Sequence, residues 1–584
     1  MVLGWAPAAT AAQDQPVLLV WLPSGTTVAE LAEAGFSPGV MSAGLGTVPA
    51  EQTYLDVGQG NRVFDSLYDS PLPELRGNRA RWWREVVERA ETAPADVVPG
   101  LLSSTLAAAG VPSRLFAVER ASLSRLPQGG SRRLVIAIAR PTGETDAPLP
   151  IGISGAGFDG NLTSGSTRMD GYVLSTDVAP TILDDLGIEV PAAMTGQPIR
   201  AEGAIDPAAI EALGARMEVI SARRGPVVGL NIVVWLAVLV LIVLFSRGRL
   251  ARPAVRLAGL AIVYLPLVLL LGAALEPGET TERILVLLLA PFLAGLTLLL
   301  LPGYRALTVA SAATVLAYAI DVIAGSPLTS LSLLGPNPGL GVRFYGIGNE
   351  LEALLAVLAV AGAGAGLTAF AAGASRRTAA AAFLVLGLLA AFVFAAGRFG
   401  ADVGAAIVFP VGAAVAAVAI AGRGRRPLAL AVIAAPLAVL ALLALVDLLS
   451  GADAHLTRSV LDAGGLGDLA DVAQRRLQLS AHSFGRPVLL AFLPIVLALA
   501  VLAYLRRDRL RAWLQGVPAM RAGLLGALAA TVVGTLANDS GALLLEIGAA
   551  YLLVFIGFAW TESAANSAES NAADEKLHLR APCV

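Results

Sequence analysis

Apolar positions along the chain follow two different patterns, and the change comes near residue 227. Before it, apolar runs are short and broken by glycine, proline and charge. After it they are long, with brief polar loops between them. The hydrocarbon core of a bilayer, about 30 Å thick, is crossed by about 20 apolar residues in a helix. On that measure spans start near Val227, Leu257, Ile284, Leu307, Leu351, Ala379, Asp402, Leu428, Val488, Ala522 and Ala542. The pattern predicts an all-α polytopic membrane bundle of about 11 helices over residues 227–560. Pro266, Pro291, Pro410, Pro436 and Pro494 fall inside spans and predict kinks, and Gly362, Gly364 and Gly366 predict close helix packing.

Residues 15–200 read as an α/β domain. Val17 to Leu22 is a continuous apolar run, as in a strand buried on both faces. Thr27 to Ala34 predicts a helix, with Thr26 or Thr27 as its cap. Further strands are expected at Ser113 to Val118 and Arg133 to Ala139, and a helix from Asp177 to Leu186 with Gly187 just past its end. Alternating strands and helices favour a mainly parallel sheet. Residues 201–226 read as a linker with a short helix, and residues 561–584, rich in Ser, Asn and Ala, as a disordered tail. Residues 1–14 end in a small-residue pattern, Ala9-Thr10-Ala11, and read as the remnant of an export signal.

Composition agrees with the membrane class: 56% of the 584 residues are hydrophobic and 15% charged, with a mean hydropathy of +0.72. Charge is unevenly placed, and every second loop of the bundle is basic. These loops carry Arg247, Arg249, Arg252 and Arg256; then Arg305; then Arg376 and Arg377; then Arg423, Arg425 and Arg426; then Arg506, Arg507, Arg509 and Arg511. The positive-inside rule puts these loops in the cytoplasm. The N-terminal domain is then extracytoplasmic and the C-terminus cytoplasmic. A single cysteine, Cys583, excludes an intramolecular disulfide and a Cys-rich metal site.

Leu162 to Gly196 reads LTSGSTRMDGYVLSTDVAPTILDDLGIEVPAAMTG. Its order of Leu-Thr-Ser, Ser-Thr-Arg, a glycine, then Thr-Asp-x-Ala-Pro-Thr-Ile-Leu-x-x-Leu-Gly-Ile resembles the C-terminal part of alkaline-phosphatase-like domains. That superfamily includes sulfatases and cofactor-independent phosphoglycerate mutases. The opening strand and Tyr54-Leu55-Asp56-Val57-Gly58 fit too. The resemblance implies an alkaline-phosphatase-like fold over about residues 15–200. It also implies two divalent metals held by Asp and His, with the first Asp at the end of the first strand. Here that strand runs into Pro23 and Ser24, and none of the three histidines, His455, His482 and His578, lies in the first 450 residues. The domain is therefore expected to be metal-free and non-hydrolytic, a pseudoenzyme that binds or docks. Asp159, Asp170 and Asp177 read as loop and helix-start residues. No metal or cofactor is implied anywhere in the chain.

The remaining chemistry lies in the bundle. A charged side chain at helix depth costs roughly 2.5–3.5 kcal/mol unless it faces water or a partner. Such residues gather at one end of their helices: Gly341 to Glu352 (GVRFYGIGNELE), Gly397 to Gly404 (GRFGADVG), Asn538 to Gly541 (NDSG), Asp321, Asp447, and the loop from Ser450 to Pro487. By the loop charges this is the outer end. Glu350, Asp402 and His455 are the candidate acid–base residues; Arg343, Asn349, Arg398, Arg458, Asn538 and Asp539 are the candidate substrate-binding set. Arg398 and Asp402 also have the spacing of a simple helix-end ion pair.

The expectation is a cell-envelope membrane protein that binds or processes a phosphate-bearing, lipid-linked substrate at the outer leaflet. Its expected partners are membrane lipids and an envelope protein, and no nucleic acid. A transporter or flippase of an envelope lipid or anionic solute is the alternative, and an envelope scaffold comes third.

Overall fold

The computed structural model describes residues 17–578 apart from 65–66, 75–77, 94–95, 112–115, 127–133, 451–479, 482 and 486. Residues 1–14 and Cys583 lie outside the described residues. The chain divides into two compact units, one of Met1–Ala222 with Pro336–Phe344 and one of Arg223–Gly335 with Tyr345–Val584.

The first unit is α/β. Its strands are β1 (Val17–Leu22), β2 (Ser37–Ser42), β3 (Phe116–Arg120), β4 (Leu134–Ala139), β5 (Leu149–Ser154), β6 (Asn161–Ser164), β7 (Tyr172–Leu174) and β8 (Ile199–Glu202). Six of them form one sheet in the order β3-β1-β4-β5-β2-β7, and β6 and β8 form a separate antiparallel pair. The sheet is mainly parallel, with one exception that makes it mixed: β3, β1, β4, β2 and β7 run the same way, and β5 is antiparallel to both of its neighbours, β4 and β2. The reason lies in the β4–β5 connection, residues 140–148, which is too short for the crossover of a dozen or more residues that parallel neighbours need.

Alternation along β1 divides the core. Val17, Leu19 and Trp21 face one cluster with Ile136, Ile138, Ile151 and Ile153. Leu18, Val20 and Leu22 face the other, with Leu31 and Phe36. Helix α1 (Val28–Glu33) starts at Thr27 through a capping box: Glu30 N–H donates to Thr27 Oγ1 at 3.2 Å, and Thr27 N–H donates to Glu30 Oε2 at 2.8 Å. The first unit also holds α2 (Ala50–Gln59), α3 (Arg79–Glu91), α4 (Leu101–Ala108), α5 (Val178–Asp185) and α6 (Pro207–Arg223). Residues 201–222, read as linker, belong to this unit as the end of β8 and most of α6.

Asp177, at the start of α5, gathers the stretch that carries the family resemblance. Its carboxylate accepts from Ser164 Oγ and Ser166 Oγ at 2.6 Å each, and from the N–H groups of Leu174 and Gln197 at 2.9 Å. Burial pushes its pKa up against those four bonds. Asp170 accepts from Asn161 Nδ2 at 3.0 Å, a loop contact.

The segment Pro336–Phe344 lies between two helices of the bundle in sequence yet belongs to the first unit. Tyr172 Oη donates to Pro338 O at 2.8 Å, Gly46 N–H to Leu340 O at 2.8 Å, and Arg62 Nη2 to Gly341 O at 2.7 Å. Arg62 also donates to Ser42 Oγ and Gly44 O. Arg343, one of the candidate substrate-binding residues, sits in this segment.

The second unit is helical. Its helices are α7 (Leu230–Phe245), α8 (Ala251–Leu275), α9 (Glu279–Leu300), α10 (Tyr304–Ile323), α11 (Asn349–Phe370), α12 (Arg376–Ala395), α13 (Ala405–Ile420), α14 (Arg425–Ser450), α15 (Pro487–Leu505), α16 (Arg507–Trp513), α17 (Pro518–Ala537) and α18 (Gly541–His578). Among the described residues nine helices are long and apolar enough to cross a membrane, and Ala405–Ile420 and Phe492–Leu505 are shorter apolar helices. Every expected span start has a helix. The last helix runs on to His578, so the part of the tail up to there is helical rather than disordered; its alanines and glutamates favour that state.

Apolar side chains such as Phe245, Leu299 and Leu430 point outward, as a lipid-facing belt requires. Inside, Gly364 lies against Gly523 and Gly362 against Ser311, the close approach its Ala/Gly stripe predicts. Within α8, Pro266 has no N–H to give Ile262 O, and Tyr551 Oη donates there instead at 3.1 Å. Tyr318 Oη donates to Pro266 O at 2.9 Å, and Thr314 Oγ1 to Val263 O at 2.9 Å.

One carboxyl of the α/β unit makes its stability depend on pH. Asp56 of α2 is fully buried, and Gln52 Nε2 and Gln59 Nε2 both donate to its Oδ1, at 2.7 and 3.0 Å. Its Oδ2 has no hydrogen-bond partner. Burial raises its pKa from 3.8 to about 7, against the lowering by Arg62 and the two amides. The folded chain keeps this proton between those two values, where the unfolded chain has lost it. Stability is therefore lost as pH rises through that window. Asp56→Asn, which mimics the protonated form, is expected to raise the thermal midpoint at pH ~8 and leave it little changed at pH ~4. Thermal unfolding of the purified protein at the two values checks this, and equal shifts would contradict it.

Candidate functional site

The site is built where helices stop. Helix α10 ends near Asp321, whose carboxylate accepts the N–H groups of Leu328 at 3.1 Å and Thr329 at 2.7 Å. Asp321 is thus engaged in shaping the turn that follows its helix. Ser326, at φ 68°, accepts from Gly346 N–H at 2.9 Å, and Ile347 N–H donates to Gly400 O at 3.1 Å. The last bond ties the segment ahead of α11 to the break between α12 and α13. In that break Ala401 has φ 50°, and Asp402 N–H donates to Phe394 O at 3.2 Å.

Four polar side chains meet between α11 and the end of α17. Asn538, just past α17, donates through Nδ2 to Glu352 Oε2 at 2.7 Å and to Asn349 Oδ1 at 3.2 Å. Asn349 Nδ2 donates in turn to Asp539 Oδ1 at 3.1 Å. Asn538 Oδ1 accepts Ser540 N–H at 3.1 Å and so shapes the turn into α18. Glu352 is fully buried and Asn538 nearly so, while Asp539 is exposed. The chain of hydrogen bonds therefore runs from the interior to the surface. Gly404 packs its backbone against the Glu352 carboxylate; a Cβ there would collide with Oε2.

Beside this network is an ion pair. Arg224, in a π-helical turn (Arg224–Gly229) ahead of α7, places Nη1 at 3.4 Å from Glu350 Oε1 and donates Nη2 to Gly335 O at 2.6 Å. Both partners keep part of their side chains open to solvent, 32% and 25%. A second pair, Arg223 Nη1 to Glu282 Oε2 at 3.0 Å, buries its carboxylate completely.

Of the nine sequence candidates, Asn349, Asn538 and Asp539 come together, and Glu350 stands one residue away on α11. Asp402 is buried two residues before Gly404, the glycine that abuts Glu352. Arg398 is exposed and lies over the Phe399 ring at 5.1 Å, which gives it a stacking role. Arg343 belongs to the α/β unit. His455 and Arg458, with most of the loop expected to cap the site, lie outside the described residues. Two residues were missed. Glu352 is three places from Asn349, the spacing that shares a helix face, and that was its signal. Arg224 was read as linker, and nothing local marks it. No family model, curated protein or solved structure matches the chain.

The Asn538–Glu352 bond is testable without an assay. Asn538→Ala removes the donor from a buried carboxylate and is expected to cost about 1–3 kcal/mol. In a double-mutant cycle with Glu352→Gln, thermal unfolding should show a coupling of about 0.5–3 kcal/mol. Strict additivity would mean that the two side chains do not interact.

Proposed function

We propose that this chain is a cell-envelope membrane protein that binds and processes a phosphate-bearing, lipid-linked substrate at the outer leaflet. The observation that carries the reading is the partly open Arg224–Glu350 pair on the same helical turn as the buried Glu352–Asn538 network. An arginine offers a planar, permanently charged fork to a phosphate. Displaced from Arg224 by that phosphate, Glu350 is left as a carboxylate able to take a proton from an attacking group. Asn349, Asn538 and Asp539 supply hydrogen bonds for a polar head. The loop charges support an outward orientation of this end and a cytoplasmic C-terminus.

In this reading the α/β unit is alkaline-phosphatase-like and serves as a non-hydrolytic binding module. Two features support that. Strand β1 passes directly into Pro23 and Ser24, where the superfamily has its first acidic ligand. Asp177, the aspartate of the Thr-Asp-x-Ala-Pro-Thr run in the family-like stretch, has its carboxylate taken up by four internal hydrogen bonds.

Transport is the second reading. It is favoured by one specific feature, a fully buried carboxylate, Glu352, held by an amide at a helix start between broken segments.

Purified protein supplied with polyprenyl-phosphate-linked sugars is expected to bind and turn them over. Glu350→Gln should lower the rate by about 10²–10⁴-fold, and Arg224→Gln should chiefly weaken binding. Neither binding nor turnover, with uptake or lipid scrambling in proteoliposomes that needs Glu352, would favour the transporter instead.

A further inference from the structure

We propose that a cleft at the basic end of the bundle, between the first turn of α8, the end of α9 and Thr561 of α18, binds the phosphodiester headgroup of an anionic phospholipid. The cleft has a volume of about 330 Å³ and is lined by Arg252, Pro253, Arg256, Leu298 and Thr561. It is separate from the site at α11, because α8 begins and α9 ends at the opposite ends of their helices from the loops described there.

Its two arginines differ in what holds them. Arg256 donates Nε to Thr561 Oγ1 at 3.0 Å and pairs with Glu562, so its guanidinium is fixed and one carboxylate offsets its charge. Arg252 is exposed and makes no ion pair or side-chain hydrogen bond among the described residues. The cleft thus carries one net positive charge, on a fork able to grip two phosphate oxygens. Arg247 and Arg249, both exposed on the preceding loop, add to the positive potential.

The wall opposite is apolar and leads away into the lipid-facing surface. Leu298 lines the cleft, and its neighbours Leu299 and Leu300 are 85% and 69% exposed. An anion alone has no use for that wall. A lipid does: its phosphate meets Arg252 while an acyl chain lies along α9. Basic pockets between transmembrane helices hold anionic headgroups for this reason.

The test uses the full chain in detergent, with the thermal midpoint read during titration with phosphatidylglycerol, phosphatidylcholine or inorganic phosphate. Phosphatidylglycerol alone is expected to raise the midpoint in a saturable way. Arg252→Gln should weaken its apparent affinity roughly fivefold, the effect of one interfacial charge. Arg249→Gln, outside the cleft, removes a charge of the same general potential without touching the lining and should weaken it less than Arg252→Gln does. Arg252→Lys keeps the charge without the fork and should fall between. Equal stabilisation by phosphatidylcholine, or an Arg252→Gln affinity no lower than that of Arg249→Gln, would overturn the proposal. Protection by inorganic phosphate matching that by phosphatidylglycerol would assign the cleft to a free anion and overturn it equally. Should Arg252→Gln fail to fold, native mass spectrometry of the unaltered protein decides: phosphatidylglycerol retained in preference to phosphatidylcholine supports the site, and no preference refutes it.

Discussion

A polar group in a hydrocarbon medium has no water to turn to, and much of the bundle's organisation follows from that constraint. Pro266 leaves Ile262 O without its helical donor, and a tyrosine from α18 supplies one. Tyr318 and Thr314 of α10 reach two further carbonyls of the same helix. Each of these bonds crosses between helices, so local irregularity becomes a reason for specific packing. The same constraint governs charge. Glu282 is buried with Arg223 against it, and Glu352 with the amide of Asn538 against it. The side chains of the candidate site accordingly sit where helices start, end or break.

The α/β unit solves a related problem by different means. Its sheet buries β1 on both faces, and polar groups beneath it are collected by single residues that serve several elements. Asp177 joins β6, the turn ahead of α5, and the strand-leading segment at Gln197. Arg62 joins the end of β2 to the segment Pro336–Phe344. That segment makes the unit discontinuous in sequence, and its exit at Phe344 stands only a few residues ahead of Asn349 and Glu352. The residues that shape the candidate site are thus covalent neighbours of residues packed into the α/β core.

The candidate site is an acid–amide network with one adjoining arginine. A cluster of arginines would make a stronger phosphate site. Arg398 stacks on an aromatic ring and Arg343 belongs to the other unit, while Arg224 stands beside Glu350. An arginine already paired with a carboxylate costs less to bury than a bare one, and releases that carboxylate when a phosphate replaces it. In the proposed function, exchange of partners at this one guanidinium is what would link binding to the appearance of a base.

What the sequence determined by itself was set by local sums and local spacing. The long apolar helices of the bundle follow from the transfer free energy of about 20 neighbouring residues, so hydropathy located them, whereas the short charged helix α16 carries no such signal. Thr27 and Glu30 specify their capping box by spacing alone. Strand β5 was not read from the sequence; its antiparallel direction follows from the short connection of residues 140–148 once the strand itself is located. Other features were decided only by tertiary structure. Glu350 and Glu352 stand two residues apart, so they point about 200° apart around α11. Which of them is buried against Asn538 and which meets Arg224 depends on what packs around the helix. The capture of Pro336–Phe344 by the α/β unit likewise rests on bonds to Gly46, Arg62 and Tyr172, hundreds of residues or more than a hundred away in sequence. Contacts between distant segments are fixed by shape and burial in the folded state, and those quantities do not exist for a segment taken alone.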